Sequence, residues 1–171
     1  MPSEIPQTYT ALFTILDPII ALWGASLFLL SPKTVTSSYL PTQPSSFDGD
    51  PAKSHPAAFA APNSPSHAFT LPLHAQIAGH LLSNALLSAF LLRVAPALRI
   101  WRIYQLSVLL VDGFLLYGTF ASYAVQDRLD PLTTWRAEDW GAVGITALAA
   151  LTRVAFLLRL GFPKRQKAKK A

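Results

Sequence analysis

At 171 residues the chain is long enough for one domain, but 51% of its residues are hydrophobic and only 13% are charged, about half the charged share of a soluble domain. A water-facing surface cannot be built from so few charges, and the basic residues behind the net charge of +5 flank apolar runs, so we expect membrane topology rather than nucleic-acid binding to explain them. The absence of cysteine excludes disulfides, thiolate metal sites and a cysteine nucleophile.

The first apolar run covers residues 9–30 and is long enough to cross about 30 Å of hydrocarbon as a helix. The N-terminus lacks the basic region of a secretory signal, so we expect this run to be retained rather than cleaved. Residues 31–72 are rich in Pro, Ser and Ala. Such a segment buries too little apolar surface to offset its ordering entropy, so we predict a flexible loop.

Three further apolar spans cover residues 73–92, 103–123 and 141–160, and a basic tail follows at 161–171. The predicted fold is therefore all-α, a bundle of four transmembrane helices that forms a single membrane domain over residues 1–171. The link between the second and third spans and the tail carry most of the basic residues, so the positive-inside rule places both termini in the cytosol.

The C-terminus carries a further pattern of lysines. Lys167 and Lys169 stand five and three residues from the end, which resembles a dilysine retrieval signal for the endoplasmic reticulum. Plain juxtamembrane basicity would give the same pattern. We expect an integral multi-pass protein of the endoplasmic reticulum.

Each predicted span carries polar side chains at helical spacing. An ionisable group at the bilayer centre costs about 2.5–3.5 kcal/mol unless it is paired or hydrated, so these rows should face the bundle interior. The rows are Thr10, Asp17 and Gly24; Gln76, His80, Asn84 and Ser88; Gln105, Asp112, Thr119 and Tyr123; and Asp139, Thr146 and Arg153.

Four of these polar residues lie at a common depth. Counted at 1.5 Å per residue from the cytosolic helix ends, Asp17, Asn84, Asp112 and Arg153 all lie about 10–14 Å deep. They predict one polar layer that could bind water or an oxygenated substrate. A simpler interpretation is that Asp17 or Asp112 pairs with Arg153 as a contact between helices, while Asn84 and His80 make ordinary hydrogen bonds within the bundle.

Several short motifs, taken in their order along the chain, resemble those of a known family. They are Asp-Pro at 17–18, Leu-Leu-Arg at 91–93, Arg-x-Trp-Arg at 99–102, Asp-x-x-x-x-Tyr at 112–117, Trp-Arg-Ala-Glu-Asp-Trp-Gly at 135–141 and Arg-Val-Ala-Phe-Leu-Leu at 153–158. Outside residues 31–72 the chain resembles a family of small fungal four-helix integral membrane proteins. Some members of what looks like this family are associated with the epoxide hydrolases or cyclases of citreoviridin- and aurovertin-type polyketide biosynthesis.

The resemblance implies a membrane-bound enzyme of fungal secondary metabolism. Its substrate would be an apolar polyene epoxide, made by a flavin monooxygenase of the same pathway and opened by hydrolysis or by cyclisation. No metal-ligand spacing, glycine-rich phosphate loop or dinucleotide fingerprint is present in the sequence, so we expect no metal and no cofactor. The alternatives are a non-enzymatic membrane scaffold or helper protein and, less in keeping with four unrepeated helices, a small transporter.

Epoxide opening assigns roles to the polar layer. The reaction needs a base to deprotonate the attacking water or hydroxyl and an acid to protonate the leaving alkoxide. We predict Asp17 and Asp112 as this pair, with Arg153 as the charge that orients them. The other predicted site residues are Asn84, to position water, and Tyr117 and His80, to donate to an oxygen.

Overall fold

The four predicted spans are helices in the computed structural model, which describes residues 5–32, 35–36, 65–95 and 97–163, with the side chains of 65–69 not described. The helices are α1 (Gln7–Leu30), α2 (Pro65–Leu86, continued by Leu87–Leu91 and Leu92–Val94), α3 (Leu98–Val125) and α4 (Ala137–Leu157). All four are long and apolar enough to cross a membrane, and the described residues contain no strand. The prediction of an all-α protein with four membrane helices is confirmed.

The second helix begins earlier than predicted. It starts at Pro65 rather than at residue 73, and Pro72 lies inside it. A proline is well tolerated in the first helical turn, because the N–H group that it lacks would have no partner there. Pro72 removes one backbone hydrogen bond near the start of the helix without ending it. Most of the predicted loop at 31–72, and the tail from 164 onward with its dilysine pattern, lie outside the described residues.

The bundle consists of two helical hairpins. Helix α1 packs along α2, and α3 packs along α4. Gly24 lets α1 approach α2 closely, because a Cβ atom at this position would lie 3.2 Å from Leu81 Cδ1. Large apolar side chains such as Leu22, Phe90 and Phe114 remain uncovered on the outer faces. A lipid bilayer, rather than water, suits such a surface.

Both helices of the first hairpin contain a π-helical turn, at Leu12–Leu16 in α1 and at Leu87–Leu91 in α2, and the two turns contact each other. In the first turn the N–H group of Asp17 bonds to the carbonyl of Leu12, five residues earlier. The additional residue in each turn changes the direction in which the following side chains point. Such turns are frequent at functional sites.

The Asp-Pro step follows the first of these turns. Pro18 has no N–H group, so the carbonyl of Thr14 loses its usual helical partner. Arg93 of α2 compensates for this loss, because its Nη2 donates to the Thr14 carbonyl at 3.1 Å. A cation from the neighbouring helix therefore bonds the carbonyl that Pro18 leaves free, next to Asp17 of the polar layer.

An aromatic cluster joins the two hairpins where α3 begins and α4 ends. The ring of Phe156, which is fully buried, lies 5.3 Å from both Tyr9 and Phe13 of α1. The Tyr9 hydroxyl also donates to the carbonyl of Leu160 at 2.9 Å. These contacts set the height of α4 against α1, and therefore the level at which Arg153, one turn before Phe156, meets the first helix.

Candidate functional site

Arg153 of α4 binds a carboxylate on each of two other helices. Its Nη2 donates to Asp17 Oδ2 of α1 at 2.7 Å, and its Nη1 donates to Asp112 Oδ2 of α3 at 2.7 Å. The guanidinium is buried, and both carboxylates are largely covered by protein. We call these three residues the Asp–Arg–Asp triad. The predicted common level of the three is confirmed, and Arg153 pairs with both carboxylates rather than with only one.

Helix α2 reaches this region through Tyr104 of α3. The Tyr104 hydroxyl lies 2.8 Å from Ser88 Oγ and donates to the oxygens of Asn84, at 2.9 Å to the backbone carbonyl and also to the side-chain amide. The charges of Asp17 and Arg153 are near enough to act on this hydroxyl. Asn84 therefore lies on the interior side of α2, and a buried tyrosine connects it with the surroundings of the triad.

Gln105 is a buried residue whose side-chain amide makes no hydrogen bond to a described residue. Its exposed fraction is 0%, and neither its Oε1 nor its Nε2 bonds to any described residue; the same holds for Arg153 Nε. Gln105 precedes Asp112 by seven residues, two helical turns on the same face of α3. Leaving a buried amide unbonded costs about 1–3 kcal/mol, so Gln105 and Arg153 Nε each favour a bound water or a ligand oxygen.

Two predicted site residues lie elsewhere. The Tyr117 side chain is 72% exposed, and His80 is also exposed, so both face the surroundings of the bundle rather than the triad. The reason is helical rotation: five residues turn a helix by about 500°, which places Tyr117 roughly 140° from Asp112. A four-residue row likewise drifts by about 40° per step, so Ser88 faces inward while His80 has turned out. The structure does not bring Tyr117 and His80 to the triad, so its geometry gives no support to their predicted donor roles, which stay predictions.

Sequence reasoning missed Tyr104 in this donor position. Tyr104 is buried, and its hydroxyl donates to Asn84 on the neighbouring helix. It precedes Asp112 by eight residues, and Val108 midway between them is buried as well. A row at four-residue spacing, drawn from Asp112 towards the start of α3, is the signal that could have found it.

A second buried polar cluster closes the link between α3 and α4. Asp139 is 2% exposed and accepts hydrogen bonds from the Tyr123 hydroxyl at 2.7 Å, from Arg128 Nη2 and from the backbone N–H of Arg136 at 2.8 Å. Trp135 Nε1 donates to the Arg128 carbonyl at 3.0 Å. Asp139 precedes Arg153 by 14 residues, roughly 21 Å along α4, so this cluster orders the link and lies far from the triad.

The different placement of two tyrosines on α3 predicts different effects of the same substitution. Tyr104→Phe should lower the free energy of unfolding by about 1–2 kcal/mol, because Asn84 and Ser88 lose a buried partner. Tyr117→Phe removes an exposed hydroxyl and should change it by less than about 0.5 kcal/mol. Unfolding by dodecyl sulfate in mixed micelles, followed by circular dichroism, measures both. Equal effects would contradict the inward placement of Tyr104.

The four apolar helices with polar groups turned inward define a multi-pass membrane protein. Among the described residues, no group of three His, Cys, Asp or Glu side chains is arranged to hold a metal ion. The chain belongs to the DUF7704 family, described as a domain of unknown function, whose model matches residues 2–163. Comparisons with curated proteins and with solved structures gave no match.

Proposed function

We propose that this protein is a membrane-bound epoxide hydrolase or cyclase that opens apolar, polyene-type polyketide epoxides in fungal secondary metabolism. The observation that carries the proposal is the position of Asp17 and Asp112 on one guanidinium, that of Arg153. Epoxide opening needs a base for the attacking oxygen and an acid for the leaving oxygen. Two carboxyl groups held at one level by a shared cation provide such a pair.

The charge of the triad supports this division of roles. With both carboxyl groups ionised, the triad carries one net negative charge inside an apolar bundle, which is costly. Retention of one proton makes the triad neutral, because the charge of Arg153 then balances a single carboxylate. One Asp is then the base and the other the acid, and Arg153 can bind both.

The reaction leaves the charge of the triad unchanged. The ionised Asp takes a proton from water, or from a hydroxyl of the substrate, as that oxygen forms a bond to an epoxide carbon. The C–O bond of the epoxide breaks, and its oxygen takes the proton of the neutral Asp. One carboxyl group gains the proton that the other gives up, so the next turnover can proceed with exchanged roles or after a proton passes between them.

Polar groups inside the bundle suit the handling of the nucleophile. Tyr104 and Asn84 bond to each other in the interior, and the Gln105 amide has hydrogen-bonding capacity that no described residue uses. These groups would hold and orient the attacking oxygen. A long polyene would reach the site through the lipid-facing surface, where it is more soluble than in water.

Topology, location and partner are further parts of the proposal. Arg93, Arg99 and Arg102 mark the end of the bundle that we assign to the cytosol, together with both termini. The endoplasmic reticulum is the proposed location. There the protein would take its substrate from a flavin monooxygenase of the same pathway.

Heterologous reconstitution of the pathway tests the proposal. The chain is co-expressed with a polyene-pyrone synthase, a methyltransferase and a flavin monooxygenase, and the products are compared by mass spectrometry. Diol or heterocycle products should form with the wild type and with the exposed control Glu138→Gln. Asp17→Asn and Asp112→Asn should each accumulate the epoxide, with turnover lower by about 100-fold or more. Unchanged turnover in either variant would refute the acid and base assignment.

The pairing of both carboxylates with Arg153 also favours the second candidate, a scaffold or helper protein in which the triad only holds three helices together. Removal of all three charges separates the two. In the triple variant Asp17→Asn, Asp112→Asn, Arg153→Met, no charge remains without a partner in the bundle. A scaffold should keep its function in this variant, whereas the enzyme should lose turnover because its acid and base are gone.

A further inference from the structure

An open groove of about 430 Å³ lies between the start of α3 and the end of α4. Its wall includes the apolar side chains of Leu98, Leu106 and Leu157. Its charged groups are the guanidinium groups of Arg99, Arg102 and Arg159. The lining contains no acidic residue. The groove therefore combines three positive charges with a wall that is otherwise apolar.

The three arginines have no ionic partner among the described residues. Each of the four ion pairs found there uses Arg128, Arg136 or Arg153 instead. Arg159 also has a φ of 59°, a left-handed conformation that is uncommon for a residue with a side chain. Hydrogen bonds from the Arg159 and Leu160 N–H groups to carbonyls of α4, at 3.0 Å and 2.9 Å, hold the chain in this turn. The turn sets a third cation at the groove beside those of α3.

The position of the groove sets its chemical surroundings. Leu98 is the first residue of α3 and Leu157 the last of α4, so the groove lies where two membrane spans end. Leu106, two turns into α3, extends the apolar wall towards the hydrocarbon. Arginines at this level reach the headgroup region while apolar side chains below them face acyl chains.

We propose that this groove binds an anionic phospholipid, with its phosphate on Arg99, Arg102 and Arg159 and an acyl chain along Leu98 and Leu106. Arginine binds phosphate oxygens through paired N–H donors, and three guanidinium groups without an acid select a net negative headgroup over a zwitterionic one. The apolar wall distinguishes a lipid from a free anion, which would gain nothing from it. The proposal does not depend on the catalytic role of the triad.

Native mass spectrometry of the full chain in detergent tests this site. Phosphatidylglycerol and phosphatidylcholine with identical acyl chains are added in equal amounts, and bound lipid is counted. The wild type should prefer phosphatidylglycerol. Each basic side chain near an anionic lipid contributes about a fivefold effect on binding, so the variant with Arg99, Arg102 and Arg159 all changed to Gln should lose most of this preference. The matched control changes Lys164, Arg165 and Lys167 to Gln, which removes three charges from the tail instead.

The possible results distinguish a bound anionic lipid from a free anion. Loss of the preference in the groove variant but not in the tail variant supports the proposal, as does its retention when the three arginines are changed to lysine. Equal preference in the groove variant and the wild type overturns it. Displacement of the lipid by inorganic phosphate at similar concentration also overturns it, since the site would then bind a free anion. Arg102→Gln alone, with a partial loss, serves if the triple variant fails to fold.

Discussion

Replacement of Arg153 by Gln should have the largest effect of any single substitution on the bundle. The expected loss is about 3–5 kcal/mol in the free energy of unfolding, because Asp17 and Asp112 would then remain at one level of an apolar bundle without their cation. Turnover should be lost as well. Arg153→Lys should have a stability between those of the wild type and Arg153→Gln, because one ammonium group lacks the planar fork that serves two carboxylates at once. Dodecyl sulfate unfolding and product analysis measure the two effects.

Two further variants test whether the loss arises from unpaired carboxylates. Glu138→Gln removes an exposed charge at the start of the same helix, and it should change stability in detergent by less than about 0.5 kcal/mol. The triple variant Asp17→Asn, Asp112→Asn, Arg153→Met removes all three charges and should recover most of the lost stability without recovering turnover. If Arg153→Gln unfolds at the same denaturant concentration as the wild type, the triad does not stabilise the bundle.

Asp139→Asn should have the second largest effect, and it should act on stability alone. The buried Arg128 guanidinium would lose its counter-ion, and Asn offers one acceptor where Asp139 serves Tyr123, Arg128 and a backbone N–H at once. We expect a loss of about 3–5 kcal/mol in the free energy of unfolding. Turnover per folded molecule should remain near that of the wild type, because the triad lies roughly 21 Å away along α4.

The neighbouring residue supplies the control for this prediction. Glu138 lies in the same helical turn but is exposed, so Glu138→Gln should change stability by less than about 0.5 kcal/mol. Thermal unfolding of both variants in the same detergent, followed by tryptophan fluorescence, gives the comparison. Similar midpoints for Asp139→Asn and Glu138→Gln would show that the buried cluster does not hold the link between α3 and α4.

The residues of the triad could be predicted from the sequence because the rise along a helix is regular. Once the apolar runs are placed across a bilayer, 1.5 Å per residue determines the depth of Asp17, Asp112 and Arg153 within a few ångströms. Depth, however, says nothing about direction around the helix axis. Tyr117 and His80 have suitable chemistry and point outward, whereas Tyr104 is the buried donor.

Some contacts depend on departures from regular helix that leave little signal in a single sequence. The π-helical turns before Asp17 and Leu92 shift the phase of α1 and α2. The bond from Arg93 to the Thr14 carbonyl exists only because Pro18 frees that carbonyl and α2 lies beside it. The second buried polar cluster likewise joins Tyr123 of α3 to Asp139 of α4 through a turn whose shape hydropathy does not predict.

The sequence by itself determined that the chain forms four helices long and apolar enough to cross a bilayer, and that two carboxylates and one arginine share a level, because hydropathy and helical rise are local properties. Only the tertiary structure decided that Arg153 binds both carboxylates, that Tyr104 rather than Tyr117 lies with Asn84, and that three arginines share one groove. These facts depend on the rotation of each helix about its axis and on how far side chains reach across the gap between helices. Packing sets both, and packing involves residues far apart in the chain.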